Sequence, residues 1–215
     1  MIGSLITDPR AFIREQTKYR GNRTQAIIAL AIGFAFAIQH IGTYLQLGEA
    51  AVEYYEVIVL HVGIDLLAPF GIWLLSTLAI AVVGRILVGR LTTGDIFRLS
   101  GWVLFPLLVS GLIQSAGRLY ALRGATAPEL GMYSYLGHEW EQYREYLSSA
   151  NSDPVFIAAT VLAIPFVLYA GYLFSIVLEE IGEEDNVEVS TRKAQFLSAI
   201  PVALCLAWLL TPFFL

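Results

Sequence analysis

The chain has 215 residues, of which 57% are hydrophobic and 14% are charged, and its mean hydropathy is +0.66. Soluble proteins average about 45–50% apolar and about 25% charged residues. These values argue against a soluble globular enzyme, and the single cysteine argues against a disulfide scaffold. The formal net charge of −5 argues against nucleic acid as the main partner. The scarcity of lysine among the bases suits a halophilic source or a GC-rich genome.

The N-terminal segment is predicted to form a short amphipathic helix over residues 8–20. Asp8 can cap a helix with Pro9 at its first position, where the missing N–H costs nothing. Basic side chains then recur at every fourth position, at Arg10, Arg14 and Lys18. Apolar residues fall on the other side, so we expect the helix to lie on the inner leaflet. It serves either as a topology anchor or as a docking site for a partner or an anionic lipid.

Five apolar runs reach the roughly 20 residues that a helix needs to cross a bilayer core of about 30 Å. They cover residues 26–47, 64–84, 99–122, 155–178 and 194–215. We therefore predict an all-α integral membrane bundle of five transmembrane helices, forming a single membrane domain over residues 1–215. Residues 57–63 are interpreted as an interfacial lead-in to the second span.

Prolines and small residues indicate how the spans pack. Pro106, Pro165 and Pro201 lie inside three spans, where each removes a backbone hydrogen bond and favours a kink. Small residues recur four positions apart, which lets helix backbones approach closely. These sets are Ala31/Ala35, Gly111/Ser115, Ala159/Ala163, Gly171/Ser175 and Ala199/Ala203/Ala207. Small residues at this spacing would also allow close helix contacts between two copies of the chain in a homo-oligomer.

A second interfacial helix is predicted over residues 136–147, within the long loop 117–151. Apolar and aromatic side chains recur there at helical spacing, at Leu136, Trp140, Tyr143 and Leu147. His138 has the spacing of a two-ligand metal pair with Glu141 or Gln142. Since two ligands without a third are common by chance, we predict no metal site and no cofactor.

The basic residues predict the orientation, because cytoplasmic loops carry an excess of lysine and arginine. Ten of the 13 bases fall on one side, at Arg10, Arg14, Lys18, Arg20, Arg23, Arg85, Arg90, Arg98, Arg192 and Lys193. Arg118, Arg123 and Arg144 fall on the other side, in the long loop. We predict a multi-pass protein of the cell membrane with a cytoplasmic N-terminus and an extracellular C-terminus. The acidic connection 179–193 is expected to be solvated and mobile.

Motifs for catalysis are absent from the sequence. No phosphate-binding, dinucleotide-binding, zinc-protease or nucleophile-elbow pattern occurs. His40 and Asp65 are the two ionisable residues of the spans that qualify as functional candidates, since such groups are costly in a membrane. With Gln114 they define a candidate intramembrane polar site. The span centres are otherwise nearly empty of polar groups, so we expect no convergent polar cluster and predict a non-enzymatic protein.

Two short motifs resemble the prokaryotic members of the Yip family of Ypt/Rab-interacting membrane proteins. Residues 5–12 (LITDPRAF) are similar to that family's start, in which an aspartate and a proline precede an aromatic residue. Residues 94–106 (GDIFRLSGWVLFP) resemble the entry into its third span. Five spans with the N-terminus inside match its layout over essentially the whole chain. Residues 65–70 (DLLAPF) are only loosely similar to the aspartate-leucine-tyrosine-glycine-proline signature of eukaryotic members.

The resemblance implies a non-enzymatic protein that organises membrane or recruits a cytoplasmic partner, and eukaryotic members engage small GTPases. The predicted lipid- or partner-binding surface consists of Arg10, Arg14, Lys18, Arg85, Arg90 and Arg98. The alternative is a transporter or channel for a small solute or ion, centred on His40, Asp65 and Gln114. The expected partners are the lipid bilayer, a cytoplasmic protein (a small GTPase by resemblance alone) and a second copy of the chain.

Overall fold

The computed structural model describes residues 2–19, 21–89, 91–126 and 136–214. Within these ranges the chain forms helices and no β-strand, which confirms the all-α class. The α-helices are α1 (Ile2–Thr7), α2 (Pro9–Gln16), α3 (Arg23–Leu47), α4 (Tyr55–Leu87), α5 (Thr93–Val103), α6 (Pro106–Ala121), α7 (Leu136–Ser148), α8 (Pro154–Glu184) and α9 (Thr191–Leu210). Short 3-10 helices follow three of them, at Gly48–Val52, Ser149–Ser152 and Thr211–Phe213.

The apolar helices account for each predicted span. In the part of the chain that the structure describes, α3, α4, α8 and α9 are each long and apolar enough to cross a membrane. The pair α5 and α6, which are bent by 42° relative to each other, meets the same criteria when it is taken together, as a broken span or a re-entrant loop. A multi-pass α-helical membrane bundle is therefore the architecture of this chain.

Two helices extend well past the predicted spans. Residues 57–63, interpreted as an interfacial lead-in, belong to α4, which runs unbroken for 33 residues. At about 1.5 Å per residue, α4 is about 50 Å long and must tilt or project from a bilayer core of about 30 Å. The helix α8 likewise continues to Glu184, beyond the predicted end at residue 178.

The break in the third span occurs at Pro106, as expected for a residue without a backbone N–H. Helix α5 ends at Val103, and Pro106 occupies the first turn of α6, where its missing donor costs no hydrogen bond. The prediction of a kink at this proline is confirmed. Pro165 and Pro201, in contrast, lie inside the continuous helices α8 and α9.

Helices α3, α4 and α6 approach closely through small residues. Gly33 of α3 lies directly against the backbone of α4 at Asp65 and Leu66. On α6, the Ser115 hydroxyl donates a hydrogen bond of 2.7 Å to the carbonyl of Ala35. Such contacts are a main source of helix association in lipid, where apolar burial contributes little.

Helix α8 packs against α6 and α9 in the same way. The Ser110 hydroxyl of α6 donates to the Ala163 carbonyl at 3.0 Å, and a Cβ on Gly171 would overlap the Val202 side chain of α9. Most of the predicted small-residue sets thus serve contacts within the chain. The set on α9 differs, because Ala199, Ala203 and Ala207 are exposed, and a homo-oligomer through it stays a prediction.

The apolar face of α2, which was expected to rest on the inner leaflet, packs against the bundle. Its cap is as predicted, since the Asp8 carboxylate accepts from the Ala11 N–H at 3.1 Å. Its apolar face is buried in the protein instead of lipid: Phe12 is 1% and Ile13 is 0% exposed. The Phe12 ring meets Trp102 edge-to-face with centroids 5.2 Å apart. We call this end of the bundle the α2 end and the opposite end the α7 end.

Replacing Gly33 with alanine is expected to destabilise the bundle. The added Cβ would lie 2.7 Å from the Asp65 carbonyl oxygen and from the Leu66 Cα, so α3 and α4 must move apart. We expect unfolding in detergent to show a loss of about 1–3 kcal/mol. Gly71→Ala on α4 is the matched control, because nothing lies within 4 Å of its added Cβ. Equal stability of the two variants would contradict this account.

Candidate functional sites at the two ends of the bundle

At the α2 end, the basic face of α2 meets two glutamates of α8. Arg10 pairs with Glu179, and its second terminal nitrogen lies 3.7 Å from Glu180 Oε1. The Arg14 Nε donates to Glu180 Oε2 at 2.9 Å, and its Nη2 donates to Oε1 at 3.1 Å. The two glutamates are 8% and 5% exposed, so the arginines supply the countercharge that buried carboxylates require.

These ion pairs favour the charged form of both arginines. The hydrogen bond to Glu179 raises the pKa of Arg10 above its ordinary value, and the hydrogen bond to Glu180 raises the pKa of Arg14. An arginine is already charged at physiological pH. Both arginines are therefore available as cations to hold α2 on α8.

The first part of the acidic connection, which was predicted to be solvated and mobile, belongs to helix α8. Helix α8 continues through residues 179–184, and the Asp185 carboxylate accepts hydrogen bonds from the Thr92 N–H at 2.7 Å and its hydroxyl at 2.8 Å. Glu183, Glu184 and Glu188 are exposed as predicted, whereas Glu179 and Glu180 are buried, because the prediction weighed only repulsion among neighbouring acids. The compensating arginines come from a helix that is distant in the sequence.

The other predicted bases of this surface differ in exposure. Lys18 and Arg85 are exposed. Arg98 is 7% exposed, and it donates to Asp95 Oδ1 at 2.6 Å and to the Tyr19 carbonyl at 2.5 Å. Arg90 lies outside the described residues. Of these bases, Lys18 and Arg85 are thus the ones that project outward.

At the α7 end, buried polar side chains form one connected network. The Asp65 carboxylate accepts from Gln39 Nε2 at 3.2 Å and lies 3.3 Å from His40 Nε2. The other ring nitrogen of His40 is 2.9 Å from the Tyr143 hydroxyl. Arg118 donates to Gln39 Oε1 at 3.1 Å, so the guanidinium and the carboxylate are bridged by one amide. All five of these residues are buried.

The network borders a cavity of about 240 Å³ between α3, α4, α6, α7 and α9. The predicted residues His40, Asp65 and Gln114 all line it, with the Gln114 amide donating to the Leu209 carbonyl at 2.7 Å. Apolar rings form much of the remaining wall, at Phe36, Trp140 and Trp208. The expectation of no convergent polar cluster was therefore wrong, because residues that are sparse along each span meet at the same depth.

Arg118 is the principal member that the sequence interpretation misplaced. It was assigned to the long loop, yet it lies in α6, is 4% exposed and also donates to Asn151 Oδ1 at 3.4 Å. The sequence does indicate that Arg118 lies beside Gln114, because the two residues are four positions apart and therefore share one face of a helix. It also falls within the predicted third span. Among the described residues, no group of three metal-binding side chains is placed to hold an ion.

The helical architecture and these sites define a multi-pass membrane protein with a polar cavity at one end. A family model described as the Yip1 domain matches residues 2–211. The chain therefore belongs to the Yip1-domain family, as its two short motifs suggested. Comparisons with curated proteins and with solved structures give no match.

Replacing Glu180 with glutamine is expected to loosen α2. An eight-residue helix is marginal in water by itself, so α2 depends on its contacts with the bundle. We expect faster amide hydrogen exchange over residues 9–16, measured by mass spectrometry on protein in nanodiscs.

Glu183→Gln is the matched control for this experiment. Glu183 lies on the same helix and contacts the same Arg14 at 3.3 Å, but its side chain is 66% exposed, against 4% for Glu180. Exposed pairs contribute about 0–1 kcal/mol, so exchange in this variant should stay close to that of the unaltered protein. The assignment fails if both variants exchange at the same rate.

Proposed function

We propose that this Yip1-domain protein is a non-enzymatic membrane scaffold whose α2 end faces the cytoplasm and binds anionic lipid. The observation that carries the proposal is the docking of α2, which is held by two arginines and by the burial of Phe12 and Ile13. The docked helix fixes the start of the turn that follows it, in which Lys18 is exposed at the surface of the bundle. Such a surface can concentrate lipids or a partner without a chemical step.

The exposed side chains at the α2 end suit a lipid interface. We call Lys18, Tyr19, Arg85 and Ile86 the basic rim; Tyr19 is 59% and Ile86 is 78% exposed. Interfacial segments combine apolar side chains that reach the acyl boundary with cations that attract anionic headgroups. Each such cation contributes about 1 kcal/mol near an anionic surface. Because Arg10 and Arg14 are paired with glutamates, the free positive charge of the rim lies on Lys18 and Arg85.

Neutralising the two rim cations should reduce lipid binding. We expect Lys18→Gln combined with Arg85→Gln to co-purify with fewer anionic phospholipids, because the attraction to their headgroups is lost. The measurement is lipid mass spectrometry on protein extracted in native nanodiscs. Arg123→Gln is the matched control, since it removes an exposed arginine from the α7 end.

The same variants separate lipid binding from partner recruitment. A photocrosslinking residue at position 18 should label anionic lipid in native membranes. An unchanged lipid count, with crosslinks formed only to a soluble protein, would overturn lipid binding and favour recruitment of a cytoplasmic partner.

A transporter or channel is the second candidate, favoured by the cavity at His40, Asp65 and Gln114. Phe36, the lining residue of α3 nearest the α2 end, lies about 20 Å along α3 from Arg23, at about 1.5 Å per residue. The Phe36 and Trp208 rings are in contact there, with centroids 4.0 Å apart. The walls of this cavity stay within the α7-end half of the bundle, so transport requires this ring pair to separate.

Flux measurements test this second function. Protein reconstituted in liposomes should then carry a small solute or ion, and Asp65→Asn should abolish the flux by removing the charge beside His40. Asp153→Asn is the matched control, because Asp153 caps α8 away from the cavity wall. Flux equal to that of empty liposomes under several gradients would contradict a transport role.

A further inference from the structure

A second pocket, at the α2 end, is the starting point of a separate inference. It lies where the turn after α2 meets the first turn of α3, and its wall includes Glu15, Gln16, Tyr19, Arg23 and Trp102. Its volume of about 400 Å³ falls within the range of about 300–1,000 Å³ that is usual for small-molecule sites. Helix α3 has 25 residues and is about 37 Å long, so its ends pass a bilayer core of about 30 Å. The pocket therefore lies at the depth of the lipid headgroups.

Gln16 brings an unsatisfied amide to this pocket. The residue is 6% exposed, and its side chain has no hydrogen-bond partner among the described residues. Its amide is not one of the unpartnered atoms that are sealed from solvent, so its remaining surface opens into the pocket that it lines. Burying an amide without a hydrogen bond costs free energy. A ligand in the pocket would supply the missing partner.

The first turn of α3 adds backbone donors. The first N–H groups of a helix have no acceptor within that helix, and Asn22, at the N-cap position, makes no side-chain cap hydrogen bond. Arg23 and Thr24, the first two residues of α3, both line the pocket. With its amide oriented so that both ends are paired, Gln25 donates to the Asn22 carbonyl at 3.2 Å and accepts from Trp102 Nε1 at 2.9 Å. The turn is thus held in place, and a free helix N-terminus of this kind favours a phosphate.

The charges of the wall are opposite in sign and separated. Glu15 and Arg23 are the charged residues of the wall, and neither has an ion-pair partner within 4 Å among the described residues, each other included. A lone anion would be repelled by Glu15, and a lone cation would be repelled by Arg23. A ligand that carries an anion and a cation at its two ends can pair with both. Tyr19 and Trp102 add aromatic rings, with which an ammonium group interacts favourably.

We propose that this pocket binds a phospholipid headgroup that carries both a phosphate and an ammonium group. The phosphate accepts from the Arg23 guanidinium, from the first N–H groups of α3 and from the Gln16 amide, in charge-assisted hydrogen bonds. The ammonium group pairs with the Glu15 carboxylate. The inference rests on the proposed function in one respect, the placement of the α2 end at a membrane surface. The binding groups differ from the free cations of the basic rim, Lys18 and Arg85.

Two soluble headgroups form a matched pair of probes. Glycerophosphoethanolamine carries the phosphate and the ammonium group, and glycerophosphoglycerol has the same phosphodiester without an ammonium group. We expect calorimetric titration of the full chain in an uncharged maltoside detergent to show saturable binding of the first probe. Binding of the second probe should be at least tenfold weaker.

Variants assign the two ends of the ligand. Glu15→Gln should bind both probes with equal affinity, because the partner of the ammonium group is lost. Arg23→Gln should weaken the binding of both by about tenfold or more, as expected for loss of a hydrogen bond between charged groups. Glu145→Gln is the matched control, since it removes an exposed acid from α7, and it should bind both probes like the unaltered protein.

Added lipids identify the source of the headgroup. Phosphatidylethanolamine in the micelle should displace glycerophosphoethanolamine, whereas phosphatidylglycerol should not. Failure of phosphatidylethanolamine to displace the probe would overturn the assignment to a lipid and identify a soluble zwitterion as the occupant. Equal binding of the two probes, or no binding of either, would overturn the pocket itself. These comparisons use the unaltered protein, so they decide even if a variant fails to fold.

The rim variant keeps this proposal separate from the proposed function. Lys18→Gln combined with Arg85→Gln should bind glycerophosphoethanolamine like the unaltered protein, because neither residue lines the pocket. Loss of anionic lipid from that variant with normal probe binding supports both proposals. An unchanged count of anionic lipid would contradict the rim alone, and absence of probe binding would contradict the pocket alone.

Discussion

In the hydrocarbon core of a bilayer a polar side chain has no water to bind, so its partner must come from the protein itself. This constraint applies to the α7 end, where hydrogen bonds link a carboxylate, a guanidinium, an amide, an imidazole and a phenol across four helices. It also explains the close approach of α3 and α4 at Gly33, which brings the backbone next to Asp65 into direct contact with α3. Tight packing and the polar network therefore depend on each other, since a wider helix spacing would separate the paired groups.

The α2 end obeys the same constraint with ion pairs. Glu179 and Glu180 are buried at the end of α8, where unpaired carboxylates would be strongly destabilising. Helix α2 supplies two arginines to them and at the same time covers Trp102 with Phe12. Helix α2, which precedes the first span, thus supplies the countercharges for the buried glutamates at the end of α8. This shared dependence is what makes α2 part of the bundle instead of an independent interfacial anchor.

Features that depend on local sequence were predictable, and features that depend on distant pairing were not. The five apolar segments, the cap at Asp8 and the break at Pro106 follow from length, side-chain chemistry and a missing donor. The partners of Arg10 and Arg14 lie 169 and 166 residues away, and no periodicity reveals them. His40, Asp65 and Gln114 were identified individually as intramembrane polar groups. Their meeting at one cavity depends on how five helices are placed, which spacing along the chain does not encode.

The burial of Arg118 has a consequence for the order in which the chain enters the membrane. Its two side-chain partners are Gln39, which is synthesised earlier, and Asn151, which is synthesised later. An unpaired arginine is costly in a membrane, so α6 gains by lying beside α3. The contact with Asn151 forms only when the turn before α8 has been made. The contacts of Arg118 thus join a helix made early to a turn made late, and we expect them to be completed only after α8 begins to enter the bundle.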